Sequence, residues 1–185
     1  MTYDPSCHHR RSIRLPTYDY TQPGAYFVTI CTQHRECILG DVVQSQVILN
    51  APGRMVESVW RQLARHHPSA EVDAFVVMPS HVHGIIILVG EGPRAWPDDG
   101  GQPQGVAPTI SLPDVVHRFK SLTTSKYRWG VHNDGWRPFT QRLWQRNYYE
   151  HIIRDEEELD RIRRYIIDNP ARWDQDPENP VRQPS

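Results

Sequence analysis

Cysteine is scarce in this 185-residue chain: Cys7, Cys31 and Cys37 are an odd number with no Cys-x-x-Cys spacing. A disulfide framework and a thiolate zinc site are thereby disfavoured, and a reducing compartment fits. Long apolar runs are missing as well. The longest extends from Ile85 to Val89, against the roughly 20 residues that a membrane-spanning helix requires. The polar N-terminal residues supply no apolar signal segment. No membrane association is expected, and a cytoplasmic location is. Excess charge of either sign is also lacking: 21 Lys and Arg stand against 22 Asp and Glu, for a net charge of -1. The overall balance therefore does not mark a polyanion binder. No internal repeat is visible.

What the chain does have is a hydrophobic content of 38% with six Trp, enough to bury the core of one domain of this length. Its charge is also unevenly spread. Between His117 and Arg154 the basic residues are Arg118, Lys120, Lys126, Arg128, Arg137, Arg142, Arg146 and Arg154, opposed only by Asp134 and Glu150. Tyr127, Trp129, Trp136, Phe139, Trp144, Tyr148 and Tyr149 are interleaved with them. Such a stretch can neutralise phosphates and stack bases. A solvated face with inward-turned aromatics has the same composition.

The order of elements follows from local pattern. Tyr26-Phe-Val-Thr-Ile-Cys-Thr32 is β-branched and aromatic after Pro23-Gly24 and predicts a strand, with Cys37-Ile-Leu39 as an extension. Asn50 as N-cap, Pro52 in the first turn and the spacing of Val56, Val59, Trp60 and Leu63 predict a helix running toward Pro68. Val72 to Met78 and His81 to Val89 form a hairpin about Pro79-Ser80. Residues 90–108, rich in Gly and Pro, read as a mobile loop. Ser111-Leu-Pro-Asp114 is a capping box before a helix with Val115, Val116, Phe119 and Leu122 on one stripe. Leu143 to Ile153 reads as the last strand. A final helix is capped by Asp155, with Glu158 closing the box, and ends at Pro170. This order predicts an α+β fold, a ferredoxin-like βαββαβ antiparallel sheet with helices on one face and an appended C-terminal helix. Residues 1–24 form a basic arm, 25–170 the domain, and 171–185, with three Pro, a weakly ordered tail.

Two constellations can carry chemistry. His81 and His83 are separated by one residue in the most apolar strand, so both imidazoles share a face and can meet one metal ion. With ten His in the chain, about 0.5 such pairs arise by chance, and two ordinary polar residues at a sheet end fit the same spacing. His8-His9 and His66-His67 are adjacent pairs and read as surface residues. On the last helix, Arg161, Tyr165 and Asn169 follow one another at four-residue intervals, beside the apolar stripe of Leu159, Ile162 and Ile166. A deprotonated phenol can attack phosphorus and an amide oxygen can join a metal. A packed Tyr and a helix-ending Asn before Pro170 are the plainer alternative.

Together, several ordered stretches carry a resemblance: His8-His-Arg-Arg-Ser-Ile-Arg14, Tyr18-Asp-Tyr20, Gly24-Ala-Tyr-Phe-Val-Thr-Ile-Cys-Thr32, Val77-Met-Pro-Ser-His-Val-His-Gly84, Phe119-Lys-Ser-Leu-Thr123, Leu143-Trp-Gln-Arg-Asn-Tyr-Tyr-Glu-His-Ile-Ile-Arg-Asp155 and Arg164-Tyr-Ile-Ile-Asp-Asn-Pro170. From about His8 to Trp173 the chain resembles the REP-associated tyrosine transposases, relatives of the single-tyrosine HUH transposases. The resemblance implies a nuclease domain that cuts single-stranded DNA and becomes joined to the new 5′ phosphate through tyrosine, in DNA transposition at hairpin DNA.

Carried over residue by residue, His81 and His83 match the HUH pair, Tyr165 the nucleophile and Asn169 a third metal contact. The implied cofactor is a divalent metal, Mg or Mn. Tyr148 and Tyr149 are rival nucleophiles by residue type. The implied partner is single-stranded or hairpin DNA, bound by a monomer or homodimer. The expected DNA contacts are Arg118, Lys120, Lys126, Arg128, Arg142 and Arg146, assisted by Arg10, Arg11 and Arg14 of the arm. The alternative from another class is a hairpin-binding module of the same fold without turnover. No Gly-aromatic signature of an RNA-binding sheet is present.

Overall fold

In the computed structural model, which describes residues 21–66, 69–89 and 110–180, the β-branched segments pair into one sheet. The strands are β1 (Gly24–Cys31), β4 (Ala70–Val77), β5 (His81–Leu88) and β6 (Tyr149–Ile153), in the order β4-β5-β1-β6 with every neighbour antiparallel. A separate two-stranded hairpin, β2 (Gly40–Val43) and β3 (Gln46–Leu49), follows β1. The helices are α1 (Ala51–Arg61), the short α2 (Leu63–His66), α3 (Leu112–Asn133) and α4 (Glu156–Asp168). This is the ferredoxin-like βαββαβ arrangement with an added C-terminal helix.

Alternation along the central strands sorts the side chains into two cores. Tyr26, Val28 and Ile30 of β1, with Val82, Ile86 and Leu88 of β5, pack against Val56 and Trp60 of α1 and Val115 and Phe119 of α3. Ala25, Phe27, Ile85 and Ile87 pack on the other face against Leu159, Ile162 and Ile166 of α4. Because both faces are covered, β5 is buried along its whole length. Gly84 permits a close approach. A Cβ there would lie 2.2 Å from the Trp60 ring, so only glycine lets the indole rest on the strand.

The predicted caps are in place. Asn50 Oδ1 accepts from the Gly53 amide at 2.9 Å. Ser111 and Asp114 close a reciprocal capping box. Asp155 accepts from the Glu158 amide at 2.7 Å, but the Glu158 carboxylate takes the Arg154 amide and the His151 ring instead of closing the box.

Several expectations are corrected. Cys37 to Leu39 is not a strand. The chain instead turns into the β2–β3 hairpin, whose Gln44 and Ser45 both have positive φ, 50° and 63°. A two-residue turn with this geometry usually announces itself by Asn-Gly or Asp-Gly, and neither is present. The first helix breaks at Gln62 into α1 and α2. The last strand is shorter than Leu143 to Ile153 because the carbonyls of Gln145, Arg146 and Asn147 turn to the Lys120 ammonium, at 2.9, 3.3 and 3.1 Å. The tail expected to be weakly ordered from 171 is instead folded through Pro180. A 3-10 turn, Asn169–Gln175, continues directly from α4, and Asp176 and Asn179 behind it are buried. Residues 1–20, the loop 90–108 and 181–185 lie outside the described residues. Among the described residues no helix is long and apolar enough to cross a membrane.

Candidate metal and tyrosine site

Because odd positions of β5 face α4, His81 and His83 enter the same layer as Phe27, while Val82 and Gly84 face the opposite core. Both imidazoles are buried, with ring centroids 4.3 Å apart. Each is oriented by its Nδ1. His83 Nδ1 lies 2.8 Å from Thr29 Oγ1 on the paired strand. His81 Nδ1 lies 3.2 Å from Ser80 Oγ, whose hydroxyl donates to the Glu178 carbonyl and so leaves its oxygen as an acceptor. An Nδ1–H tautomer on both rings leaves both Nε2 lone pairs directed at a common point.

At that point stands Asp176, 4% exposed. Its Oδ2 is 3.6 Å from His81 Nε2 and 3.8 Å from His83 Nε2. Burial alone would raise its carboxyl, but the surrounding His83, His81, Glu178 amide and Asn169 hold it below the ordinary carboxylate range. Burial pushes the His81 imidazole well below its ordinary value, and the adjacent His83 adds to this. The result is a neutral imidazole and a carboxylate facing each other, both acceptors. His81 Nε2, Asp176 Oδ2 and Asn169 Oδ1 are all buried without a hydrogen-bond partner. Three orphaned acceptors at one locus are costly unless a cation satisfies them. One atom each from His81, His83 and Asp176 lie within 4.8 Å of one another, a grouping that could hold a metal ion. The donor set therefore suits a divalent cation, and nitrogen with carboxylate ligands does not select one metal.

Tyr165 projects from α4 to the rim of this cluster. Its hydroxyl is 3.4 Å from His83 Nε2, and its ring meets His83 and Phe27 edge-on, with centroids at 5.3 and 5.9 Å. The side chain is 38% exposed. Partial burial, followed by the carboxylates of Asp176 and Glu178, raises the phenol above its usual range, while Asn169 and Arg172 oppose the shift. Asn169, at the junction of α4 and the 3-10 turn, is buried beside Tyr165 and Asp176. Of the rival tyrosines, Tyr148 lies under the Lys120 ammonium. Tyr149 faces Phe27 at 6.3 Å. Cys31 borders the cluster as a thiol, pushed up to about 12 by burial and the Glu178 carboxylate.

The structure places His81, His83, Tyr165 and Asn169 at one locus. Asp176 was missed, because it falls in the segment read as tail. Trp173, whose ring lies 6.0 Å from that of His81, was the signal that this segment packs.

The expected DNA-contacting residues divide. Lys120, Arg128, Arg142 and Arg146 line one groove of about 510 Å³ between α3 and the 141–146 segment, together with His117. Lys126 borders a neighbouring groove, and Arg118 is exposed outside both. Arg10, Arg11 and Arg14 lie outside the described residues. The 141–146 segment is tied to the strands that carry the two histidines: the Gln145 amide donates to the Cys31 carbonyl at 2.9 Å, and Cys31 pairs with His81.

No protein-family model matches the chain. A Haemophilus influenzae protein described as uncharacterized is 40% identical over 180 residues, covering 94% of this chain and 95% of that protein. A second protein from the same organism, named "Putative REP-associated tyrosine transposase", is 28% identical over 160 residues, covering 83% of this chain and 74% of that protein. Among solved structures, a REP-associated tyrosine transposase bound to a REP hairpin superposes with a TM-score of 0.54 at 20% identity, covering 86% of this chain and 73% of that one. At that identity the superposition speaks for the fold. The chain is thus similar in sequence to a protein named as a REP-associated tyrosine transposase and shares the fold of a solved one.

Proposed function

We propose that the chain is a metal-dependent single-strand DNA endonuclease and strand transferase that acts at hairpin DNA, with Tyr165 as nucleophile. The observation that carries this reading is the convergence of three unpartnered buried acceptors, His81 Nε2, Asn169 Oδ1 and Asp176 Oδ2, beside a half-exposed tyrosine hydroxyl. A divalent cation held by His81, His83 and Asp176, with Asn169 beside them, would stabilise charge on the scissile phosphate.

The chain's own residues perform the rest. Thr29 and Ser80 hold the two imidazoles in the ligating tautomer. Phe27 and His83 hold the Tyr165 ring at the rim. The raised phenol stays protonated until attack, when its proton passes to water at the exposed edge. The phenolate oxygen bonds to phosphorus as the bond to the 3′ oxygen breaks, and that oxygen takes a proton from water, leaving a 3′ hydroxyl and a 5′ phosphotyrosine. A 3′ hydroxyl attacking that phosphotyrosine reverses the step, reseals the strand and releases the tyrosine. Strand transfer thus needs no external energy source.

The basic groove at Arg128, Arg142 and Arg146 supplies the local field that the near-neutral chain lacks overall. The test is incubation with single-stranded hairpins flanking the chain's own gene, in Mg or Mn, followed by a denaturing gel. A protein-DNA adduct is expected. Binding without any adduct in either metal would leave only the hairpin-binding alternative.

A further inference from the structure

We infer that Trp129 and Trp136 form a stacking site for an unpaired nucleobase, on the helical face opposite the metal cluster; this rests on the DNA-binding reading above. The groove holds about 470 Å³ and is lined by Met55, Ser125, Lys126, Trp129, Asp134 and Trp136. Its two indoles differ in their freedom. Trp136 is fixed: its ring lies on Gly130, where a Cβ would come within 2.4 Å, and meets Tyr127 edge-on at 5.4 Å. Tyr127 is itself tied down by its hydroxyl, which donates to the Arg137 carbonyl at 3.0 Å. Trp129, one helical turn beyond Ser125, is 61% exposed. With Trp136 and Met55 it forms an apolar patch open to solvent, and such a patch marks a contact surface.

Charge and continuity choose the occupant. Ser125 borders both this groove and the basic groove, and the lining of the latter contains His117, Lys120, Arg128, Arg142 and Arg146 with no acid. A polyanion seated there arrives at Trp129 without leaving the protein surface. Lys126 can meet the phosphate of a nucleotide whose base enters the apolar groove, and the Asp134 carboxylate can accept from a base N–H. A paired base hides its faces within the stack, so the site takes unpaired bases and tolerates their sequence.

The experiment measures binding by fluorescence anisotropy in EDTA, where metal-dependent cleavage is excluded. The probes are a short DNA hairpin with a 5′ oligothymidine tail and the same hairpin with a blunt end. The full chain should bind the tailed hairpin more tightly, with affinity falling as salt rises. Trp129→Ala should weaken tailed binding about fivefold or more, leave the blunt hairpin nearly unchanged and keep the salt slope. Trp129→Phe should recover most of the loss. Thermal midpoints within about a degree of the parent confirm that the exposed position does not govern folding. Equal binding of both hairpins by Trp129→Ala and the parent overturns the site and leaves the groove to another class of partner. An equal loss on both hairpins also overturns it, because a stacked unpaired base is then not what was removed. Failure of the unaltered chain to bind either hairpin overturns the DNA reading and this inference together.

Discussion

Tyr165 illustrates how a single side chain combines packing with reactivity. Its ring meets Phe27 and His83 edge-on, and its hydroxyl lies 3.4 Å from His83 Nε2. Tyr165→Phe keeps the ring contacts and removes one oxygen. Covalent attachment to a hairpin should therefore vanish on a denaturing gel, while hairpin affinity in a mobility-shift assay stays within about twofold. Adduct formed by the Phe variant would transfer the role to Tyr149, which shares the Phe27 side of the sheet. Tyr148 is less suited, since its ring is engaged by Lys120.

At the scale of elements, two devices stand out. The first is the start of α4, where Glu158 binds the Arg154 amide, His151 and Arg161. Partial burial raises its carboxyl, but these partners more than compensate and lower it below the ordinary value of 4.5. A depressed carboxyl contributes stability above its unfolded pKa and loses it as the pH falls through the folded value. Glu158→Gln should therefore lower the thermal midpoint at pH 7, and the gap from the parent should close on acidification below about pH 4.5. A gap that stays constant down to pH 3 would contradict the assignment.

The second device is the Lys120 clamp, whose ammonium is committed to three backbone carbonyls. It shapes the groove wall more than it meets phosphate. Lys120→Met should cost about 1 to 2 kcal/mol of stability in denaturant unfolding. Replacing Arg142 and Arg146 together by Gln should leave stability within about 0.5 kcal/mol and flatten the salt dependence of single-strand binding by about 1.4 in log-log slope. A slope unchanged in the double variant would mark the groove as a solvated surface.

For the molecule as a whole, the decisive feature is closure of the chain beyond α4. The 3-10 turn brings Trp173 beside His81 and sets Asp176 against both imidazoles, so that the candidate ligand cluster joins β5 to a segment almost a hundred residues later. Binding to the folded state alone raises stability by mass action. Mn or Mg should therefore raise the thermal midpoint of the parent, and EDTA should reverse the rise and end cleavage. Asp176→Ala should weaken this metal response by at least about tenfold in the concentration required. An identical metal response in the variant would place the ion elsewhere.

Much of this was readable from local pattern. Strand alternation placed His81 and His83 on one face, the four-residue interval placed Tyr165 and Asn169 on one side of a helix, and Asn50, Ser111 and Asp155 marked helix starts, because each depends only on neighbouring residues and fixed backbone periods. The order of these segments was enough to imply the antiparallel sheet. Other features depended on contacts between distant segments. Lys120 shortened the final strand, a Gln44-Ser45 turn without its usual residue signature made an extra hairpin, and α4 directed a polar, proline-bearing segment back across the sheet. Asp176 became a candidate ligand only through that return, since burial against two imidazoles is a property of where the segment packs and has no local period by which to recognise it.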